Sequence, residues 1–174
     1  PIDPLLRESL SAATRRLPPQ SVRPVKRENL HITVHFIGDV AAADVQRVRD
    51  AVRDAADHLQ LGAIECSTYP LTLFPPGRRA RVVAAPISDP TGSLNRLWGE
   101  LKTELRAIGF ELDSRRYRPH ITVAYIRKGA DRPALDALQT PPAGTELKAE
   151  SIELVRSRLS PGGAIYETIF RAKL

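Results

Sequence analysis

Two tetrapeptides in this chain are identical: His31-Ile32-Thr33-Val34 and His120-Ile121-Thr122-Val123. The likeness runs on, with Phe36-Ile37 corresponding to Tyr125-Ile126 and a basic stretch before each segment (Val25-Lys26-Arg27 and Arg115-Arg116-Tyr117-Arg118). The chain has four histidines, and two of them hold equivalent places in this repeat. In an extended strand alternate side chains point to opposite faces, so each segment offers a His-x-Thr pair on one face and packs Ile and Val on the other. Should the two strands meet across a cleft, two imidazoles and two hydroxyls converge. Free imidazole titrates near pH ~6.5, so one ring can be protonated while its twin is neutral. The neutral ring can take a proton from water as it attacks phosphorus, and the charged ring can give one to the departing oxygen. The Thr33 and Thr122 hydroxyls can donate to the non-bridging oxygens, where transition-state charge collects. This chemistry calls for no metal and no cofactor.

A single His in a strand is ordinarily a packed or surface residue, and Thr is common in strands for its β-propensity. The letter-for-letter duplication lifts these pairs above that background. His31 and His35 also show an H-x-x-x-H spacing. In a strand they would stand roughly 13 Å apart, too far to share one ion, and the Glu of a helical zinc motif is absent. His35 does share the face of His31 and Thr33, which suggests an accessory substrate contact at the cleft mouth. His58 falls late in an amphipathic helix and is expected on the surface.

The elements that must position these groups are legible from pattern. Asp3-Pro4 reads as an N-cap with Pro at the first helical position, predicting a helix over about residues 4–16 that Pro18 and Pro19 stop. Leu30–Ile37, rich in β-branched residues and closed by Gly38-Asp39, reads as a strand. Val45, Val48, Val52, Ala55 and Leu59 recur at helical spacing, predicting a helix over about 41–60 with Gly62 as its stop. Ala63–Leu73 and Ala80–Ile87 read as strands joined by the turn-forming Phe74-Pro75-Pro76-Gly77. Asp89 opens a second long helix to about Ile108, with Gly109 as its C-cap. His120–Ile126 is a further strand and 132–139 a candidate short helix. Glu150–Leu159 and Ile165–Leu174 form a hairpin through Ser160-Pro161-Gly162-Gly163. Strands and helices mix without strict βαβ alternation, so the fold class is α+β.

Composition bounds the partners. The 174 residues fit a single domain over 1–174, with 42% hydrophobic and 26% charged residues, ordinary for a globular chain. Net charge is +6, and only five of the 26 basic residues are lysine. Arginine's rigid fork suits phosphate, although a GC-rich genome produces the same bias; the charge tilts expectation toward anionic partners such as nucleic acid. The lone Cys66 excludes an internal disulfide and a cysteine-type zinc cluster, which fits a cytoplasmic setting. No apolar stretch approaches the ~20 residues of a membrane span. The opening PIDPLLRESL lacks a signal-peptide pattern, and the absence of any methionine places the start after the initiator, either because the protein is trimmed or because the sequence omits its beginning.

The repeated His-Ile-Thr-Val resembles the signature of the two-histidine phosphoesterase superfamily. Within it the chain is most similar to the RNA 2′,3′-cyclic phosphodiesterases, historically called 2′-5′ RNA ligases. Asn29–Asp39 resembles that family's first motif, Arg118–Val123 its second, Phe74-Pro75 with Arg81-Val82-Val83 its central hairpin, and Leu154 to Ser157 through Gly162, Gly163 and Tyr166 its tail. The resemblance implies two pseudo-symmetric lobes, each an antiparallel-rich sheet with helices packed outside, and a cleft between them holding both His-x-Thr pairs. It implies metal-independent hydrolysis of RNA 2′,3′-cyclic phosphate ends to 2′-phosphates, with His31 as acid on the 3′ oxygen and His120 as base on water. Implied partners are RNA ends such as tRNA fragments, or cyclic nucleotides, met by a monomer with no membrane association. Two departures stand out. The family commonly begins with an apolar strand ahead of its first helix, which this chain lacks. It also often carries an Arg five residues after the second His, where this chain has Tyr125; Arg127 or Arg118 is then the candidate to contact phosphate.

Other readings keep the chemistry and change the substrate, to ADP-ribose 1″,2″-cyclic phosphate or a 2′-5′ oligonucleotide. The same site could also run in reverse as a 2′-5′ ligase when ends are held close. A non-catalytic RNA-end binding module would use the histidines only to contact phosphate, and intact His and Thr at all four positions speak against it.

Overall fold

Pro4 has the fixed φ and the missing N–H that suit the first position of a helix. In the computed structural model, which describes residues 2–112, 114–133, 146–160 and 163–174, helix α1 runs Pro4–Thr14. The Asp3 carboxylate accepts from the Leu5 and Leu6 amides at 2.8 and 3.3 Å, which satisfies two of the open donors at the helix start. Helix α2 runs Val45–Leu59 behind a 3₁₀ turn at Ala42–Asp44. It ends at Gln60, which takes the left-handed conformation (φ 43°), two residues before the expected stop at Gly62. Helix α3 covers Ser93–Ala107 and buries Leu94, Leu97, Leu101 and Leu105. It is entered through Gly92 rather than at Asp89, but the Asp89 carboxylate still accepts from the Asn95 amide at 3.3 Å.

The fold is α+β with antiparallel sheets, as expected. Strands β1 (Val22–Pro24), β5 (His120–Ile126), β4 (Val82–Ser88), β2 (Ile64–Thr68) and β6 (Glu146–Ala149) lie side by side in that order, and β3 (Thr72–Phe74) also pairs with β4. Strands β7 (Ser151–Ser160) and β8 (Gly163–Lys173) form a separate long hairpin. The Ser160↔Gly163 pair closes its end, while Pro161 and Gly162 of the expected turn lie outside the described residues. Helix α1 packs on β5, α2 packs on both hairpin strands, and α3 lies beside α2. The candidate helix at 132–139 lies almost wholly outside the described residues.

Two expected strands differ. Ala63–Leu73 is divided into β2 and β3, both on the same edge of β4. Pro70 stands in the gap, and without an N–H it cannot donate to the ladder.

Leu30–Ile37 is not a strand. A 3₁₀ turn occupies Arg27–Asn29, and among the described residues the pairing of the following segment is a single antiparallel bridge from Ile32 to Ile121. This segment shares an edge of β5 with β1: Pro24 pairs with Ala124, then Ile32 with Ile121. Eight residues on one side thus answer three on the other, and the surplus forms the turn. Pairing cannot extend past Thr33, because β5 begins at His120 and Pro119 before it has no N–H. The chain then leaves for α3. The β-branched composition is right for a strand, but among the described residues no strand pairs with its second half.

Candidate active site

The Ile32↔Ile121 bridge sets the geometry of the site. Ile121 is fully buried and Ile32 packs on the same core, so their neighbours project from the opposite face. One residue to either side of an antiparallel pair, His31 stands across from Thr122, and Thr33 across from His120. The two histidines occupy a diagonal of this square, a separation of roughly 7–8 Å between backbones that side chains span readily. The register thus sets the two His-x-Thr pairs side by side on one face.

Both rings are held from behind in the same way. His31 Nδ1 lies 2.7 Å from the Asn29 carbonyl oxygen, and His120 Nδ1 lies 2.7 Å from that of Arg118. A carbonyl can only accept, so Nδ1 carries hydrogen in each ring and Nε2 is left to gain or lose the working proton. His31 Nε2 meets the Thr33 hydroxyl at 2.9 Å. Each ring also has an aromatic wall. Tyr166 of β8 meets His31 edge-on at 5.2 Å, and Phe74 of β3 stacks on His120 at 4.2 Å. Asn29 Nδ2 donates to the Ala164 carbonyl at 2.8 Å, which ties the turn before His31 to the hairpin. The chemistry available is proton transfer at two Nε2 atoms, with hydroxyls beside them.

Tyr125 reaches this face through a bulge. Strict alternation from His120 would send its side chain into the core. Between Val83 and Ala84 the β4–β5 register shifts, so that Ala84 pairs with Thr122 and Val83 with Ala124. Val123 is the extra residue, and the face alternation resets beyond it. Tyr125 is accordingly 41% exposed, on the side of His120 and Thr122. Burial raises the Tyr166 phenol above its ordinary pKa, and the nearby Tyr125 phenol adds to that shift.

The remaining candidates separate. Arg127 is committed to structure: its Nε donates to the Pro19 and Val22 carbonyls at 3.1 and 3.2 Å, pinning β1 to β5. Arg118 is exposed just ahead of His120, and its carbonyl backs the His120 ring. His35 turns to α3, where Nε2 donates to the Trp98 carbonyl at 2.9 Å and the ring stacks on Trp98. Burial lowers its pKa, the Trp98 bond partly offsets this, and Lys102 adds to the lowering. The folded state therefore favours neutral His35, whereas the unfolded chain takes a proton below about pH 6.5. Its stabilising share is present above that pH and is lost on acidification. Between pH 7 and 5 the melting temperature of His35→Gln should fall less than that of the wild type; equal falls would contradict this sign.

Sequence reasoning placed no ring walls beside the histidines. Phe74 and Tyr166 carried only family resemblance, because no local pattern reveals what a distant strand brings near. His58 is exposed as expected, 3.2 and 3.3 Å from Glu100 and Glu104, with its pKa raised by the Glu100 hydrogen bond and by the surrounding carboxylates. Among the described residues these three form the group able to hold a metal ion, and it shares no residue with the repeat.

The model of the 2′-5′ RNA ligase superfamily matches residues 3–160. The chain belongs to that superfamily. Among the superfamily's curated members, the RNA 2′,3′-cyclic phosphodiesterase of Aeropyrum pernix is 30% identical over 158 residues, 87% of this chain and 86% of the relative. The protein of the same name in Escherichia coli is 32% identical over 155 residues, 83% of this chain and 79% of the relative. Solved structures share the fold. A Thermus thermophilus protein superposes with a TM-score of 0.81 at 23% identity, covering 99% of this chain and 93% of its own. E. coli LigT complexed with 3′-AMP gives 0.78 at 22% identity, covering 100% and 94%. No described helix is long and apolar enough to cross a membrane.

Proposed function

We propose that this superfamily member is an RNA 2′,3′-cyclic phosphodiesterase that opens terminal cyclic phosphates to 2′-phosphates without a metal ion. The observation that carries the reading is the Ile32↔Ile121 bridge, which sets both His-x-Thr pairs on one face. The name shared by relatives such as those of A. pernix and E. coli supports the substrate class.

In this reading His120 Nε2 takes a proton from water as the water oxygen bonds to phosphorus. The P–O3′ bond breaks in line, and His31 Nε2 delivers its proton to O3′. The Thr33 and Thr122 hydroxyls donate to the non-bridging oxygens as their charge grows. Imidazole and imidazolium exchange roles across the cycle, and a proton exchange with solvent restores them. A 5′-hydroxyl held in the place of water gives a 2′-5′ linkage by the same steps.

The test is a cyclic nucleotide incubated with the protein in EDTA, the product being identified by phosphorus NMR. The expected product is the 2′-monophosphate. Exclusive 3′-monophosphate would overturn the leaving-group assignment, and turnover that vanishes in EDTA and returns with added metal would overturn metal independence. ADP-ribose 1″,2″-cyclic phosphate and a 2′-5′ oligonucleotide in the same panel separate the substrate alternatives.

A further inference from the structure

Arg23 lies on β1 directly across from Tyr125, and its guanidinium sits over the Tyr125 ring, 5.1 Å from the centroid. It also approaches the hairpin, where a Cβ on Gly163 would stand 3.7 Å from Nη1. Among the described residues it has no carboxylate partner, unlike Arg15, Arg27, Arg47, Arg53, Arg156, Arg158 and Arg171. Stacking on a phenol orients the planar fork and leaves its N–H donors open. An exposed arginine held this way is prepared for an anion.

Its place along β5 says which anion. Three rows follow one another on the site face: His120 with Thr33, then Thr122 with His31, then Tyr125 with Arg23. From the Thr122 row to the Tyr125 row β4 advances two residues, Ala84 to Val82, or about 7 Å. Arg23 therefore lies beyond His31, on the side away from His120. In the reaction proposed above, on which this inference rests, water enters at His120 and O3′ departs toward His31. The ribose that owns O3′, and the phosphate on its 5′ side, must lie past His31. The charge around Arg23 continues the path. Arg81 precedes the Val82 partner of Tyr125, and the flanking loops hold Arg78, Arg79, Lys128 and Arg132 against Asp131. Those loops touch, since Arg132 donates to the Arg78 carbonyl.

We propose that Arg23, oriented by Tyr125, binds the internucleotide phosphate 5′ to the cyclic end and so selects RNA chains over mononucleotide cyclic phosphates. The contact is made equally before and after the P–O3′ bond breaks, so it acts mainly through KM.

The experiment compares kcat/KM for cytidine 2′,3′-cyclic phosphate and for the dinucleotide CpC carrying the same cyclic end. The ratio is taken within each variant, so any loss of folded protein cancels. A charge-assisted contact predicts that Arg23→Ala lowers the dinucleotide-to-mononucleotide ratio about tenfold, and that Arg23→Lys restores part of it. The salt slope of log(kcat/KM) for the dinucleotide should become shallower by about 0.7. A CpC with an uncharged methylphosphonate linkage should lose the same advantage with the wild type and nothing further with Arg23→Ala. An unchanged ratio, or an Arg23→Ala penalty of the same size on the uncharged linkage, overturns the assignment. Equal losses on mononucleotide and dinucleotide would move Arg23 to the cyclic phosphate itself and also overturn it. Wild-type protein that opens neither substrate would instead reject the phosphodiesterase reading beneath it.

Discussion

Replacing His120 by alanine lowers kcat on a 2′,3′-cyclic nucleotide by at least ~10²-fold, with KM little changed, and replacing His31 does the same. Each imidazole is aimed by a backbone carbonyl on Nδ1 and walled by an aromatic ring, so alanine removes the proton carrier and leaves its surroundings in place. The paired variant should cost little more than the worse single one, since in the proposed mechanism acid and base act in the same step and their losses do not add. The wild-type rate should trace a bell against pH, because the proposed mechanism needs one ring charged while the other is neutral. Each single variant should lose one limb of that bell. A His31→Ala or His120→Ala protein that stays folded and keeps more than about a tenth of the wild-type kcat would rule out acid–base catalysis by that residue.

The second large effect is on stability. Ile121→Ala should cost about 2–5 kcal/mol, the range for emptying a fully buried aliphatic site. Ile121 has no exposed surface, pairs with Ala85 on β4, and faces Ile32 in the bridge that locates His31. Its loss therefore removes core volume and loosens the first motif on the edge of β5. Urea unfolding measures the change as a lower midpoint. Leu5→Ala is the control: Leu5 is 81% exposed, and its substitution should stay within about 0.5 kcal/mol. If both variants unfold together with the wild type, the buried bridge is not holding the sheet as described.

Several elements were legible because their causes are local. Asp3-Pro4 marks the start of α1 by its own stereochemistry, and the spacing of Val48, Val52 and Ala55 marks the buried face of α2. His120–Ile126 matches β5 residue for residue, since a strand in mid-sheet has partners on both sides to honour its propensity. The first motif has the same tetrapeptide and yet makes only a bridge. The difference lies in its neighbours, which its own letters do not describe.

By itself the sequence singled out the groups proposed to carry the chemistry: two His-x-Thr pairs on alternating segments, in an α+β chain rich in arginine. It did so because residue type and alternation are properties of a short stretch of backbone. Only the tertiary structure decided how those groups meet and which others join them. The register of Ile32 on Ile121, the bulge at Val123 that turns Tyr125 outward, the capture of His35 by α3 and of Arg127 by the Pro19 and Val22 carbonyls, and the open guanidinium of Arg23 all depend on strand pairing and burial. Pairing and burial are set by residues far apart in the chain, and their energies exist only once those residues are in contact.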